Sequence, residues 1–162
     1  MERLWSPWRS EYVTGVDQGE GCIFCDALAA GDDVAAGVLF RGGAAFVVLN
    51  AYPYNTGHLM VAPNRHVGEP RDLDGEESRE LTDTTFRSIE VLREGIAPDG
   101  FNVGMNLGRV AGAGIPGHLH VHVVPRWSGD TNFMPVVGET KVLPEMLADT
   151  DAKLRPLFAA PR

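Results

Sequence analysis

Three of the five histidines in the chain alternate with apolar residues in one short segment, His118-Leu119-His120-Val121-His122-Val123-Val124. A period of two is the period of a β-strand, whose side chains point to opposite faces in turn. The segment therefore reads as a strand with three imidazoles on one face. Leu119, Val121 and Val123 lie on the other, toward a core. At about 3.3 Å per residue, neighbouring imidazoles stand about 6.6 Å apart and the outer two about 13 Å apart.

Such a row has three possible uses. One is a polar sheet face of hydrogen-bonded histidines, which is costly because three titratable rings are buried together without a task. A second is a catalytic zinc site, since His-x-His on a strand is a usable ligand pair. The span of about 13 Å lets one ion take two of the three at most. The third is nucleophilic catalysis at phosphorus, in which one imidazole attacks and its neighbours place charge. The preceding segment, Gly104 to Gly117, favours the third use. It is rich in glycine, and Gly112, Ala113 and Gly114 are small enough for backbone N–H groups to approach an anion. A glycine loop alone is weak, but here it directly precedes the triple-histidine strand.

Charge narrows the partners. Asp and Glu number 22 against 14 Lys and Arg, a formal net charge of −8. Duplex nucleic acid is excluded as a general ligand, because phosphate contacts need a basic surface. A small phosphate ligand held by amides and a few side chains is not. With 162 residues and 44% apolar composition, the chain is expected to form one domain with a true core. No apolar run is long enough to cross a membrane, and Met1 to Trp8 contains no apolar leader, so the expected compartment is the cytoplasm.

The pattern along the chain predicts an α+β fold. Residues 1–20 form an N-terminal arm carrying Trp5, Trp8 and Tyr12, residues 21–135 the domain, and residues 136–162 a C-terminal tail. A short helix is expected from Asp26 to Ala30. Val38–Phe40 and Ala44–Leu49 flank Gly42-Gly43 as a hairpin, and His58–Ala62 is a third strand after the turn-rich stretch 50–57. Asp74 and Glu77 form a capping box. Leu81, Thr85, Ile89, Leu92 and Ile96 then mark one face of a long helix, closed by Gly95 and Pro98. Phe101–Leu107 and His118–Val124 are the last strands, the second stopped by Pro125. A short helix follows Pro144. The order β-β-β-α-β-β implies a five-stranded, mainly antiparallel sheet with one long helix packed on it.

Cys22 and Cys25 are a Cys-x-x-Cys pair. The spacing admits a redox motif, half of a metal site, or two buried thiols of no special use. No thioredoxin-like strand–helix context surrounds it. A structural zinc site needs four ligands, so two more would have to come from distant histidines.

The segment 118–124 resembles the signature of the histidine triad family, three histidines separated by single apolar residues and followed by two more. The resemblance runs from about Cys22 to Pro135 and includes Cys-Ile-Phe-Cys, Gly57-His58-Leu59-Met60-Val61-Ala62-Pro63 and Pro63-Asn64-Arg65-His66. Within the family, Asn50–His58 and Pro125–Phe133 resemble the fragile-histidine-triad branch, and more narrowly its bacterial diadenosine tetraphosphate phosphorylases. The resemblance implies His118, His120 and His122 as the triad. His120 attacks the α-phosphorus of a nucleotide, and His122 hydrogen-bonds the phosphate or the leaving oxygen. Asn106 matches a phosphate-contacting position, Asn50 a ribose-contacting one, and His58 lies behind the triad. Gly114 replaces a glutamine of the fragile-histidine-triad hydrolases, leaving backbone amides to contact the phosphate chain and room for a second anion. Arg126 and Lys141 offer charge from the tail. The resemblance further implies a purine nucleotide or dinucleoside polyphosphate substrate, phosphorolysis ahead of hydrolysis, and a homodimer. It completes a structural zinc site at Cys22, Cys25, His66 and His118, with no catalytic metal.

Overall fold

Five short apolar segments pair into one sheet in the computed structural model, which describes residues 21–131 and 143–160. The expected arm with Trp5, Trp8 and Tyr12, and Lys141, lie outside the described residues. The strands are β1 (Val38–Arg41), β2 (Ala45–Leu49), β3 (Leu59–Pro63), β4 (Gly100–Gly104) and β5 (Val121–Arg126), in the spatial order β1-β2-β3-β5-β4. Every neighbouring pair is antiparallel. Three helices accompany them among the described residues: α1 (Ile23–Ala29), α2 (Gly75–Ile96) and α3 (Leu147–Ala159). The α+β class, the five strands and the long helix are as expected.

Alternation sorts the side chains into two cores. Ala45, Val47 and Leu49 of β2, Leu59 and Val61 of β3, and Val121 and Val123 of β5 meet Leu81, Val91 and Leu92 of α2. Leu154 and Phe158 of α3 complete that layer. On the opposite face, Phe46, Val48, Met60 and Ala62 pack against Phe24 of α1. Leu119 joins Val121 and Val123 in the α2 layer, so the three histidines face the α1 side as the alternation required.

Several boundaries move, each for a local reason. β5 starts at Val121, because its pairing with β3 begins at Val61↔Val121 and its pairing with β4 at Gly104↔His122. β4 therefore ends at Gly104 and not Leu107, since the later residues have no partner strand. Pro125 lies inside β5 and does not stop it. β3 pairs no further than Leu59↔Val123, so the missing N–H costs no ladder bond on that side, and Asn55 Nδ2 donates to the Pro125 carbonyl at 3.1 Å. The C-terminal helix is longer than expected, 13 residues, and contains Pro156. A proline inside a helix costs about 3 kcal/mol. Leu154 and Phe158, 0% and 2% exposed, offset that at about 1.5–3 kcal/mol each. Gly95 does not close α2. The helix ends one residue later, and a Cβ on Gly95 would stand 2.7 Å from Leu154 Cδ2, so the glycine is what lets α3 approach. Ala97 takes the left-handed cap at φ 45°.

The capping box forms as expected. The Asp74 carboxylate accepts from the Glu76 and Glu77 amides, and Glu77 returns to the Asp74 amide. Arg65 also grips Glu77, at 2.8 Å through Nε and 2.6 Å through Nη2. This pins the start of α2 to the segment just after β3, next to His66. The Arg65 guanidinium, then the Asp74 amide, hold the Glu77 carboxyl at about 2 against an ordinary 4.5. A depressed carboxyl contributes stability that is fully present above the ordinary value and fades as pH falls toward the folded one. Glu77→Gln should therefore lower the melting temperature at pH 7, and its deficit against the parent chain should shrink steadily from pH 4.5 toward pH 2. A deficit independent of pH over that interval would assign the effect to packing.

Candidate active site

The sheet brings His120, His122 and His58 together. His118 and His120 lie on the extended lead-in to β5, fixed by the Leu119 amide donating to Val67 O at 2.6 Å. His120 Nδ1 stands 2.8 Å from the His118 carbonyl. A carbonyl only accepts, so Nδ1 carries the proton and Nε2 holds a free electron pair. Burial pushes the His120 ring below its ordinary value, against the opposing bond to His118 O, which keeps it neutral at pH 7. The Phe24 ring covers it, centroids 4.9 Å apart. The arrangement gives a neutral imidazole in one tautomer with one nucleophilic nitrogen.

His122 takes the opposite tautomer. The Tyr54 amide donates to His58 Nδ1 at 3.0 Å, so the proton of neutral His58 sits on Nε2. His58 Nε2 lies 2.9 Å from His122 Nδ1 and donates to it. His122 is left with its N–H on Nε2, a hydrogen-bond donor. The His120 and His122 rings stand 4.9 Å apart, nearly perpendicular, closer than strand spacing alone predicts. A nucleophile and a donor thus sit side by side. The Tyr54 ring lies over His58 at 4.6 Å and His122 at 5.7 Å.

The other expected site residues are placed differently from one another. Asn50 is buried, with Nδ2 3.3 Å from His58 Nδ1 and Oδ1 accepting the Tyr52 amide, so its amide serves the histidine relay. Asn106 is half-buried just past β4. In the glycine loop, Gly112 takes φ 89°, and the amides of Gly112 and Ala113 donate to Arg109 O and Gly108 O. Those two amides are spent on the loop's own turn and do not form an open cradle. Arg126 is held by Asp130 and Asn102. Tyr54, Phe24, Asn55 and Asp130 were not singled out from the sequence. Tyr54 acts here through a backbone amide, for which side-chain chemistry gives no signal.

His118 turns both ring nitrogens away from this pair. Nε2 donates to Pro63 O at 2.8 Å, so Nδ1 is bare and faces Cys22 Sγ at 3.2 Å and Cys25 Sγ at 3.7 Å. Cys25 Sγ is 3.3 Å from His66 Nδ1. α1 begins earlier than expected, with Cys22 as its N-cap and Cys25 three residues on, so both thiols share one face. Ligand atoms of Cys22, Cys25, His66 and His118 all lie within 4.8 Å of one another, and the set can hold a metal ion. Metal bonds of about 2.0–2.3 Å in a tetrahedron place ligands about 3.3–3.8 Å apart, close to the distances found. The Pro63 carbonyl is the outer partner that a ligating imidazole needs. Burial, and then the neighbouring Cys22, raise the Cys25 thiol, a penalty that a bound dication reverses.

A sequence model of the HIT domain matches residues 33–129. The chain is 44% identical over 158 residues to the AP-4-A phosphorylase of Mycobacterium tuberculosis, covering 93% of this chain and 80% of that one. It is 30% identical over 128 residues to the bis(5'-adenosyl)-triphosphatase of Dictyostelium discoideum, covering 75% and 85%. A Zn-bound histidine triad family protein from Mycobacterium smegmatis superimposes with a TM-score of 0.65 at 24% identity, over 86% of this chain and 94% of that one. A histidine triad nucleotide-binding protein from Sulfolobus tokodaii gives 0.68 at 23%, over 85% and 92%. Both structures share the fold.

Metal analysis of the purified chain should find about one divalent ion per chain, and Cys22→Ser or Cys25→Ser should lose it and lower the melting temperature by at least about 5 °C. Metal-free protein whose two thiols titrate freely while folded would remove the site.

Proposed function

This chain belongs to the HIT domain family, and from that membership we propose that it cleaves diadenosine tetraphosphate through a nucleotidyl-His120 intermediate, with inorganic phosphate as the acceptor. The observation that carries the reading is the tautomer of His120, which presents an unshared pair on Nε2 of a neutral, buried ring. Nε2 attacks the α-phosphorus, the bond to the bridging oxygen breaks, and ATP leaves. An oxygen of inorganic phosphate then attacks the same phosphorus, the P–N bond breaks, and ADP leaves. Charge that develops on the imidazole strengthens the Nδ1–H bond to His118 O. The Nε2–H of His122 meets charge on the phosphoryl or leaving oxygen. The 44% identity to a protein named AP-4-A phosphorylase supports phosphate as acceptor. A second reading, hydrolysis to AMP and ATP, draws support from the loop amides of Gly112 and Ala113, which are already engaged within their own turn.

The cluster of two thiolates and two imidazoles suits zinc in a structural role. When bound, zinc ties α1 to β3 and to the lead-in of β5, and four protein ligands leave no position for water. Unpaired thiols of this kind fit a reducing, cytoplasmic setting. Among the described residues, no helix is long and apolar enough to cross a membrane.

The test of the chemistry is product analysis with labelled phosphate. Label should appear in ADP, and His120→Ala should lose at least about 10³-fold in turnover. AMP released at a rate indifferent to phosphate selects the hydrolase. Activity of His120→Ala within about tenfold of the parent chain removes the nucleophile assignment.

A homodimer belongs to the same reading. Among the described residues, β4 is an edge strand paired on one side only, and Val103, Met105 and Leu107 on and beside it are exposed. Light scattering at micromolar concentration should give twice the chain mass, and a monomer there would remove the dimer.

A further inference from the structure

The turn Trp127-Ser128-Gly129-Asp130 has no task in the chemistry above, yet it centres a dense polar cluster just past β5. The Asp130 carboxylate accepts from Arg126 at 2.6 Å and 2.8 Å, from the Trp127 amide at 3.2 Å, and from Asn55 Nδ2 at 2.8 Å. Asn55 is 8% exposed and comes from the turn-rich stretch before β3. Its Nδ2 also donates to Pro125 O at 3.1 Å, so both amide hydrogens are spent on the end of β5. The Asn55 backbone carbonyl accepts the His58 amide at 3.1 Å. The residue just before it, Tyr54, supplies the amide that sits on His58 Nδ1 at 3.0 Å.

We propose that Asn55, anchored by Asp130, is a positioning residue for His122. It holds the Tyr54 amide against His58 and thereby keeps His122 as a donor through Nε2. The relay Tyr54 N–H to His58 to His122 has two settings. With the amide on His58 Nδ1, protons lie on the Nε2 atoms of both rings. If the amide withdraws, His58 can take its proton on Nδ1, its bare Nε2 then faces His122 Nδ1, and that atom must carry the proton. His122 Nε2 becomes an electron pair and repels phosphate oxygens. The Asn55–Asp130 contact selects the first setting from a distance, through main-chain geometry. The inference rests on His122 acting as a donor to substrate.

The experiment compares Asn55→Ala with Asp99→Ala. Asp99 braces the same turn through the Ser128 amide, at 2.7 Å, without touching Asp130 or Asn55. Turnover and KM on diadenosine tetraphosphate are measured well below each melting temperature, with ¹⁵N spectra of labelled histidine for each protein. Asn55→Ala should lose about 10–100-fold in kcat with KM within about threefold, and His122 should leave its single Nε2–H form. Asp99→Ala should lose melting temperature but keep kcat and tautomer. Where Asn55→Ala does not fold, Asp130→Ala removes the same anchor from its other end. An unchanged His122 tautomer in the anchor variant overturns the proposal, as does kcat within about threefold, or an equal loss in Asp99→Ala. The spectra of the parent chain need no substrate. Failure to cleave diadenosine tetraphosphate would therefore count against the proposed activity and leave the tautomer result to be read by itself.

Discussion

One hydrogen bond, from His120 Nδ1–H to the His118 carbonyl at 2.8 Å, decides which nitrogen of the His120 ring keeps its unshared pair. Much of the surrounding structure holds that carbonyl still. The His118 ring is fixed at Pro63 O on one side and at the thiols of Cys22 and Cys25 on the other. The next amide, of Leu119, is tied to Val67 O, and the Leu119 side chain is buried in the α2 layer. β5 then runs between β3 and β4, the interior position of the sheet, where both edges are paired. Sheet pairing, the cluster of Cys22, Cys25, His66 and His118, and the core therefore converge on one peptide unit. A metal held by His118 would act on the chemistry through the geometry of this carbonyl, far from any open coordination position.

The second ring is set by an independent route. His58 is 1% exposed and lies at the start of β3, between Asn50 and Tyr54 on one side and His122 on the other. Phe24 connects the Cys22, Cys25, His66 and His118 cluster to the His120 ring. Its ring touches His118 at 5.0 Å and His120 at 4.9 Å, and it stands on α1 between the two cysteines. A metal held at Cys22 and Cys25 would thus also fix the ring that covers His120.

Much of this was legible in the sequence wherever a side-chain pattern carried the information. The alternation at 118–124 placed the imidazoles on one face, and the Asp74–Glu77 spacing placed the start of α2. The thiol pair is chemically conspicuous, the resemblance supplied His66 and His118 as its partners, and the four do converge. What stayed hidden depends on the main chain or on long-range packing. Nothing at Tyr54 marks its amide as a partner for His58. Gly95 reads as a helix stop because glycine disfavours helix locally, and Pro156, inside a helix longer than expected, disfavours it more. Only the contact of α3 with α2, absent from any local window, explains why each sits inside one. The glycine loop misled in the opposite direction. Its composition promised open amides, but a 3₁₀ turn over Arg109–Ala111 uses some of them internally.

Both histidine tautomers trace back to backbone atoms, the His118 carbonyl for His120 and the Tyr54 amide for His122. No amino-acid replacement deletes a carbonyl, and proline alone deletes an amide. The difference between the two tautomers is therefore encoded in atoms common to nearly every residue. A new side chain at position 54 leaves in place the amide that sets His58, whereas one at position 118 keeps the carbonyl but removes the ring that ties it to Pro63 O.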